Sequence, residues 1–226
     1  MAQSSGLFES EDLKMWQQTL NIYWDVIGSK GANKKNLVVL DKWFQEELPS
    51  CIAARPQKHL TRDELVKLME WKLTRGKFRP RLQQLVSSNP DGVVESCTGK
   101  AFQLLPDISA AIGELCQLKG IGPATASAVL AAGAPELVAF MADEAVESVP
   151  GLKPVQYTLK HYLVFLEKLQ KKATVLSEAS SEKWTPHQVE RCLWTFEVAR
   201  KTCPDILNPT ENVETERRPR KKLKTK

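Results

Sequence analysis

Between two stretches of helical periodicity the chain reads Leu118-Lys-Gly-Ile-Gly-Pro-Ala-Thr-Ala-Ser-Ala-Val-Leu130. Two glycines two residues apart permit a tight turn and a close approach of backbone to ligand. The amides that open the next helix lack intrahelical partners and carry the positive end of its dipole. That is chemistry for holding an anion, and a phosphate oxygen suits it. Gly120, Ile121, Gly122, Ala124 and Thr125 are the expected contacts, made through backbone that positions a nucleic acid but reads no base. The bland alternative is an ordinary helical corner closed by glycine. Leu115, Leu118, Ile121, Ala126, Val129 and Leu130 supply the apolar contacts between the two helices in either case.

Beyond the second helix, Gly133 and Pro135 turn the chain into the apolar run Leu137 to Met141. Asp143 then lies 21 residues after Gly122 and heads the segment Asp-Glu-Ala-Val-Glu-Ser. A hairpin, a Gly/Pro loop and an aspartate at this separation resemble the helix-hairpin-helix superfamily of DNA glycosylases. That superfamily includes endonuclease III, the adenine glycosylase MutY and the oxoguanine glycosylases. The likeness is specific over Leu115 to Glu147, about a seventh of the chain. Within the superfamily the whole chain resembles the poorly characterised Amun-type proteins.

The resemblance implies a role for Asp143. Breaking an N-glycosidic bond develops positive charge on the deoxyribose, and a carboxylate beneath the sugar stabilises that charge or orients the attacking water. Its structural alternative is an N-cap for the helix that it begins; Glu144 is expected to face solvent. Bifunctional members carry a nucleophilic lysine two residues after the second hairpin glycine. Here that position is Ala124, which implies a monofunctional, water-using reaction without strand cleavage. The iron–sulfur loop of some relatives needs four grouped cysteines. Cys51, Cys97, Cys116, Cys192 and Cys203 are too dispersed for it, so neither a metal nor another cofactor is expected. A flipped base needs an aromatic or apolar pocket. Trp71, Phe78 and Tyr157 are candidates whose default place is nonetheless the core, and His59, His161 and His187 form no recognisable pair or triad.

The elements that must position these groups read as helices, giving an all-α, helix-hairpin-helix glycosylase-like bundle over residues 1–203, with the hairpin at 115–132. Leu13, Trp16, Leu20, Tyr23, Trp24 and Ile27 make one apolar face from Glu11 to Ile27, ended by Gly28-Ser-Lys-Gly31. A second helix spans Asn36 to Leu48 and closes at Pro49. Thr61-Arg-Asp-Glu64 is a capping box opening a third. Asn89-Pro-Asp-Gly92 is a turn, and Asp107 caps the helix leading into the hairpin. A long helix runs from Pro154 to about Leu176, and Thr185-Pro186 opens the last, which reaches about Cys203.

From Pro204 apolar periodicity fades, and residues 204–226 read as a disordered tail. Its basic run Arg217, Arg218, Arg220, Lys221, Lys222, Lys224 and Lys226 provides seven of the 32 basic residues. Without them 25 basic face 27 acidic residues, so the net charge of +5 does not mark the folded body as a nucleic-acid binder. Any footprint must be local, in clusters such as Lys72, Arg75, Lys77, Arg79 and Arg81. Arg217 to Lys224 read as a nuclear-localisation signal, implying an import receptor and a nuclear location. No apolar stretch approaches the roughly 20 residues of a membrane span, and the polar N-terminus is unlike a signal peptide. A monomer binding double-stranded DNA is expected. The functional readings are a monofunctional glycosylase, an inactive DNA- or chromatin-binding protein that keeps the fold, and an interaction module whose hairpin is only a corner.

Overall fold

The computed structural model describes residues 6–207, in which every regular element is a helix. The fold is all-α, as the apolar spacing requires. α1 (Leu13–Asn21) and α2 (Tyr23–Gly31) are followed by α3 (Leu37–Lys42), a π-helical turn at Trp43–Glu47 and α4 (Leu48–Ala54). Next come α5 (Arg62–Arg75), α6 (Pro80–Ser87), α7 (Asp91–Gln103), α8 (Ile108–Leu115) and α9 (Pro123–Gly133). α10 (Asp143–Ser148), α11 (Leu159–Glu178), α12 (Pro186–Thr202) and α13 (Pro204–Leu207) complete the order.

Several boundaries move from those expected. The first helix divides at Ile22, whose ψ of 4° leaves the helical region, and α2 continues through Gly28 to Gly31. A helical glycine costs only about 1 kcal/mol, which the buried Tyr23, Val26 and Ile27 outweigh. Pro49 sits in the first turn of α4 rather than closing the preceding helix, because its missing N–H is harmless there. The long helix starts at Leu159, capped by Thr158, five residues after the Pro154 expected. Past residue 203 the chain adds α13, whose Ile206 and Leu207 pack against the core, so the body extends four residues into the expected tail. The basic run from Arg217 lies outside the described residues.

Local chemistry holds where it is self-contained. Glu64 N donates to Thr61 Oγ1 at 3.2 Å while Thr61 N donates to Glu64 Oε2 at 2.9 Å, closing the capping box of α5. Asp107 accepts from Ala110 N at 2.9 Å, and Thr185 with Gln188 forms a second box on α12. At the centre, every residue of α9 from Ala124 to Gly133 is buried. A helix apolar on all sides belongs inside a core, and its alanines let α4, α5, α7, α8 and α11 pack close. The Phe102 ring fills the space that a side chain at Gly133 would take, and Lys58 Nζ donates to the Gly133 carbonyl at 2.7 Å.

Beneath one face lies a polar network that no helical pattern announces. Arg75, at the end of α5, is 1% exposed. Its Nη1 meets Glu190 of α12 at 3.2 Å and its Nε lies 3.7 Å from Asp41 of α3. Asp41 also accepts from Tyr23 Oη at 2.6 Å and Trp71 Nε1 at 2.8 Å. The guanidinium lies 4.1 Å from the Trp194 ring centroid. His187 reaches the network through Gln45 at 2.9 Å, and Gln45 Nε2 donates to Tyr23 Oη.

Burial pushes the Glu190 carboxyl from its ordinary 4.5 up to about 7, against the pull of Arg75. Burial, with Arg191 and Arg75 nearby, takes the His187 imidazole from 6.5 down to about 3. Glu190 holds its proton more tightly folded than unfolded. Its stabilising contribution is therefore present below about pH 4.5 and disappears as pH rises through about 7. His187 has the opposite sense, losing its contribution as pH falls from 6.5 toward 3. Comparing wild type with Glu190→Gln isolates the carboxyl. Urea denaturation should show wild type losing stability relative to Glu190→Gln between about pH 4.5 and 7; a constant difference across that window would contradict the assignment.

Candidate functional site

Above this network opens a cleft of about 220 Å³. One wall is the end of α5 and the loop after it, with Lys72, Arg75, Gly76, Lys77 and Arg79; the other is the hairpin, with Gly120, Gly122, Pro123, Ala124 and Thr125. Phe140, Met141 and Trp194 contribute apolar lining, and Asp143, Glu144 and Tyr157 also line it. Four of the five residues of the expected basic cluster thus face one cavity, and Arg81 does not line it. Arg75 differs from its companions in being spent internally, on Glu190 and Asp41, so it braces the cleft instead of adding surface charge.

The hairpin glycines do different work. Gly120 has φ of 78°, and a Cβ there would stand 2.9 Å from Leu85 Cβ, so α6 can pack against it only if it is glycine. Gly122 is extended, with φ −121° and ψ −179°, and a Cβ would meet nothing within 4 Å. Its bareness is open space on the cleft side. Ile121 N is committed to Leu118 O at 3.1 Å and Thr125 N to Gly122 O at 2.9 Å, which removes both from the expected anion contacts. The amides of Gly120, Gly122 and Ala124 have no hydrogen-bond partner among the described residues, and they alternate along the turn into α9. Asn89 fixes the approach to the turn. Its amide accepts from Lys119 N at 2.9 Å and donates to Lys119 O at 3.0 Å.

Asp143 faces this cleft and is not the cap that its position suggested. Ala142 is the N-cap of α10, and Asp143 is the first helical residue. Its carboxylate accepts from Tyr157 Oη at 2.8 and 2.9 Å and pairs with Lys77 Nζ at 2.8 Å. The strand-like approach to it is held from behind. Met141 N donates to Ser127 Oγ at 3.0 Å, Tyr162 Oη to Ala139 O at 3.1 Å, and Gln170 Nε2 to Leu137 O at 2.8 Å. Glu144 is not simply solvent-facing: it lines the cleft and lies 3.5 Å from Lys30 Nζ.

The cations differ in chemistry. The hydrogen bond and charge of Asp143 raise the Lys77 ammonium above its ordinary range, so it stays protonated. Lys72 is partly withdrawn from water, and this burial, with Arg79 nearby, lowers its ammonium. Burial, then the bond to Asp143, raises the Tyr157 phenol. Tyr157 and Phe78 are also not core residues: 41% and 77% of their surfaces are exposed, whereas Trp71 is wholly buried and stacks on Phe44 at 3.5 Å. Among the described residues no three His, Cys, Asp or Glu side chains gather as a metal site would require, and no helix is long and apolar enough to cross a membrane.

Sequence reasoning named Tyr157 only as a base-pocket candidate, not as the partner of Asp143, and missed Asn89 and Lys34 as parts of the site. Lys34 Nζ donates to Thr74 O and Gly76 O at 2.7 and 2.9 Å, securing the loop from across the fold. Only Asn89 carried a signal, its Asn-Pro turn, and that signal concerned its own backbone. Comparison with protein-family models, curated proteins and solved structures finds no match to this chain.

What the cleft can do is bind an anion with three free amides and flanking cations while presenting a carboxylate beside it. Gly122→Ala separates contact from folding. Thermal denaturation should show no loss, with a gain of about 0.4–1 kcal/mol from the stiffer unfolded chain. Where duplex DNA docks on these amides, its affinity should fall, and the slope of log K against log salt should drop by about one. Gly120→Ala should instead lose stability, by about 1–2 kcal/mol from the left-handed backbone alone. Duplex binding by Gly122→Ala equal to wild type would remove the hairpin from the interface.

Proposed function

We propose that this protein is a monofunctional DNA glycosylase that hydrolyses the N-glycosidic bond of a base turned out of a duplex. One observation supports this above all: Asp143 lines the same cleft as the free amides of Gly120, Gly122 and Ala124. In this reading a backbone phosphate docks on those amides and on the nearby cations. The extruded base enters the cleft, whose apolar lining is Phe140, Met141 and Trp194, and Asp143 meets the deoxyribose. As the base departs, the carboxylate stabilises positive charge on the sugar while water adds to the anomeric carbon, the proton that the water loses ending on the released base. Tyr157 holds the carboxylate in place, and Lys77 must release it for the sugar. The basic run from Arg217 would carry the protein to the nucleus by an import receptor.

The rival reading, a DNA- or chromatin-binding protein without chemistry, is favoured by the occupation of Asp143 by Lys77 and Tyr157. Activity separates the two. Duplexes carrying damaged or mismatched bases, incubated with protein and then treated with alkali, should break at the modified base. Asp143→Asn should reduce this by about a hundredfold or more while leaving duplex affinity at least as high. Stability should change little, since Lys77 is two-thirds exposed and such pairs contribute about 0–1 kcal/mol. Undiminished cleavage by Asp143→Asn would exclude the carboxylate from the mechanism. Absence of cleavage across the panel, with duplex binding intact, would leave the binding-only reading.

Because the hairpin offers Ala124 where an amine would attack, borohydride should trap no covalent complex. A trapped complex would contradict the water mechanism and point to Lys72, whose lowered ammonium makes it the readier nucleophile. Loss of the trap in Lys72→Ala would then assign it.

A further inference from the structure

We propose that Glu144 and the floor beneath it select the base, and that the base selected has a lactam edge, a ring carbonyl beside a ring N–H. This deepens the function proposed above and rests on its claim that the cleft receives an extruded base.

Asp143 and Glu144 are consecutive residues in the first turn of α10, so their side chains leave the helix about 100° apart while both line the cleft. They meet different surroundings. Asp143 lies with Lys77 and Tyr157. Glu144 lies 3.5 Å from Lys30 Nζ, and that ammonium stands 4.9 Å from the Trp194 ring centroid. Glu144 is therefore the carboxylate on the Trp194 side, where the apolar lining receives the base. The Lys30 side chain is 14% exposed and that of Glu144 24%, so the carboxylate is held from behind yet open to the cleft. An ionised carboxylate only accepts hydrogen bonds, and what it asks of a base is an N–H.

The floor asks for the complement. Trp194 lines the cleft and is buried, yet its indole N–H has no acceptor among the described residues. Arg75 lines it too, and while its Nη1 meets Glu190, its Nη2 is left without a partner among them. The guanidinium lies 4.1 Å from the Trp194 ring centroid, so the two unused donors are neighbours. Buried donors without acceptors are uncommon and costly, and a ligand that supplies the acceptor relieves them. A carbonyl oxygen has two lone pairs and can take both donors. Cytosine or adenine, turned to give its amino group to Glu144, offers the floor a ring nitrogen with one lone pair, and one donor stays unsatisfied. Donors on the floor and an acceptor on the wall thus match a carbonyl next to an N–H.

Uracil with cytosine, and hypoxanthine with adenine, form pairs that differ only at this edge. Each base is placed in one duplex sequence opposite a tetrahydrofuran residue, which removes differences in pairing, and its release is followed in single turnovers. Wild type should release the lactam member of each pair at least about a hundredfold faster. Uracil methylated at N3 keeps its carbonyls and lacks the N–H, and it should be as slow as cytosine. Glu144→Gln should narrow the preference for uracil over its methylated form by about tenfold to a hundredfold. Trp194→Phe keeps a ring and removes the floor N–H, and it should narrow the preference for uracil over cytosine by about tenfold. General damage to the fold would slow both members of a pair alike and leave these ratios unchanged. Equal release within each pair, faster release of cytosine or adenine, or a wild-type preference kept by both variants would overturn the selection while the glycosylase reading stands. If wild type releases no base from any duplex, damaged or mismatched ones included, the glycosylase reading fails and the selection falls with it.

Discussion

The buried guanidinium of Arg75 is the interaction on which the working face depends. A charge taken this far from water is tolerable only when opposite charge meets it, and Glu190 and Asp41 provide that from α12 and α3. The three helices are thereby set against one another at a single point. Breaking such a pair from one side typically costs about 3–5 kcal/mol, whereas replacing all partners with apolar groups of equal volume need cost little. Stability alone therefore does not explain the arrangement. Its geometric effect is plainer: Arg75 is the last residue of α5, and the loop bearing Lys77, Phe78 and Arg79 begins at the next position. Arg75 and Trp194 belong at once to the network and to the cleft lining, so the floor and the loop share one foundation.

How much of this was legible follows from how far apart the partners stand in the chain. Thr61 and Glu64, Asp107 and Ala110, or Thr185 and Gln188 are within one helical turn, and their hydrogen bonds follow from local chemistry whatever the rest does. The hairpin and the distance from it to Asp143 are legible for the same reason. The Asn89 clamp on Lys119 spans 30 positions, the Lys34 bonds to Thr74 and Gly76 span 40 and 42, and Arg75 to Glu190 spans 115. No periodicity encodes those meetings. Phe78 and Tyr157 show the converse failure. An aromatic residue is assigned to the core by transfer free energy, and nothing in that rule registers that three cations crowd the segment from Arg75 to Arg79.

The two glycines also divide a task that their spacing presents as one. Gly120 is required by conformation and by α6, and its role would persist in a corner that bound nothing. Gly122 is required by neither, since its backbone is extended and its surroundings are empty. The anion-binding argument therefore rests on Gly122 and the neighbouring free amides far more than on the motif as a pattern of letters.

Lys77 has one ammonium and two claimants. While it rests on Asp143 the carboxylate is neutralised and screened from whatever enters the cleft. An anion docking on the loop competes for the same charge, and any share that it wins is withdrawn from Asp143. The two events are thermodynamically linked, so anion docking weakens the Lys77–Asp143 pair by as much as the pair weakens docking. The empty cleft keeps its carboxylate latched by Lys77, and an anion that drew Lys77 away would be the key that unlatches it.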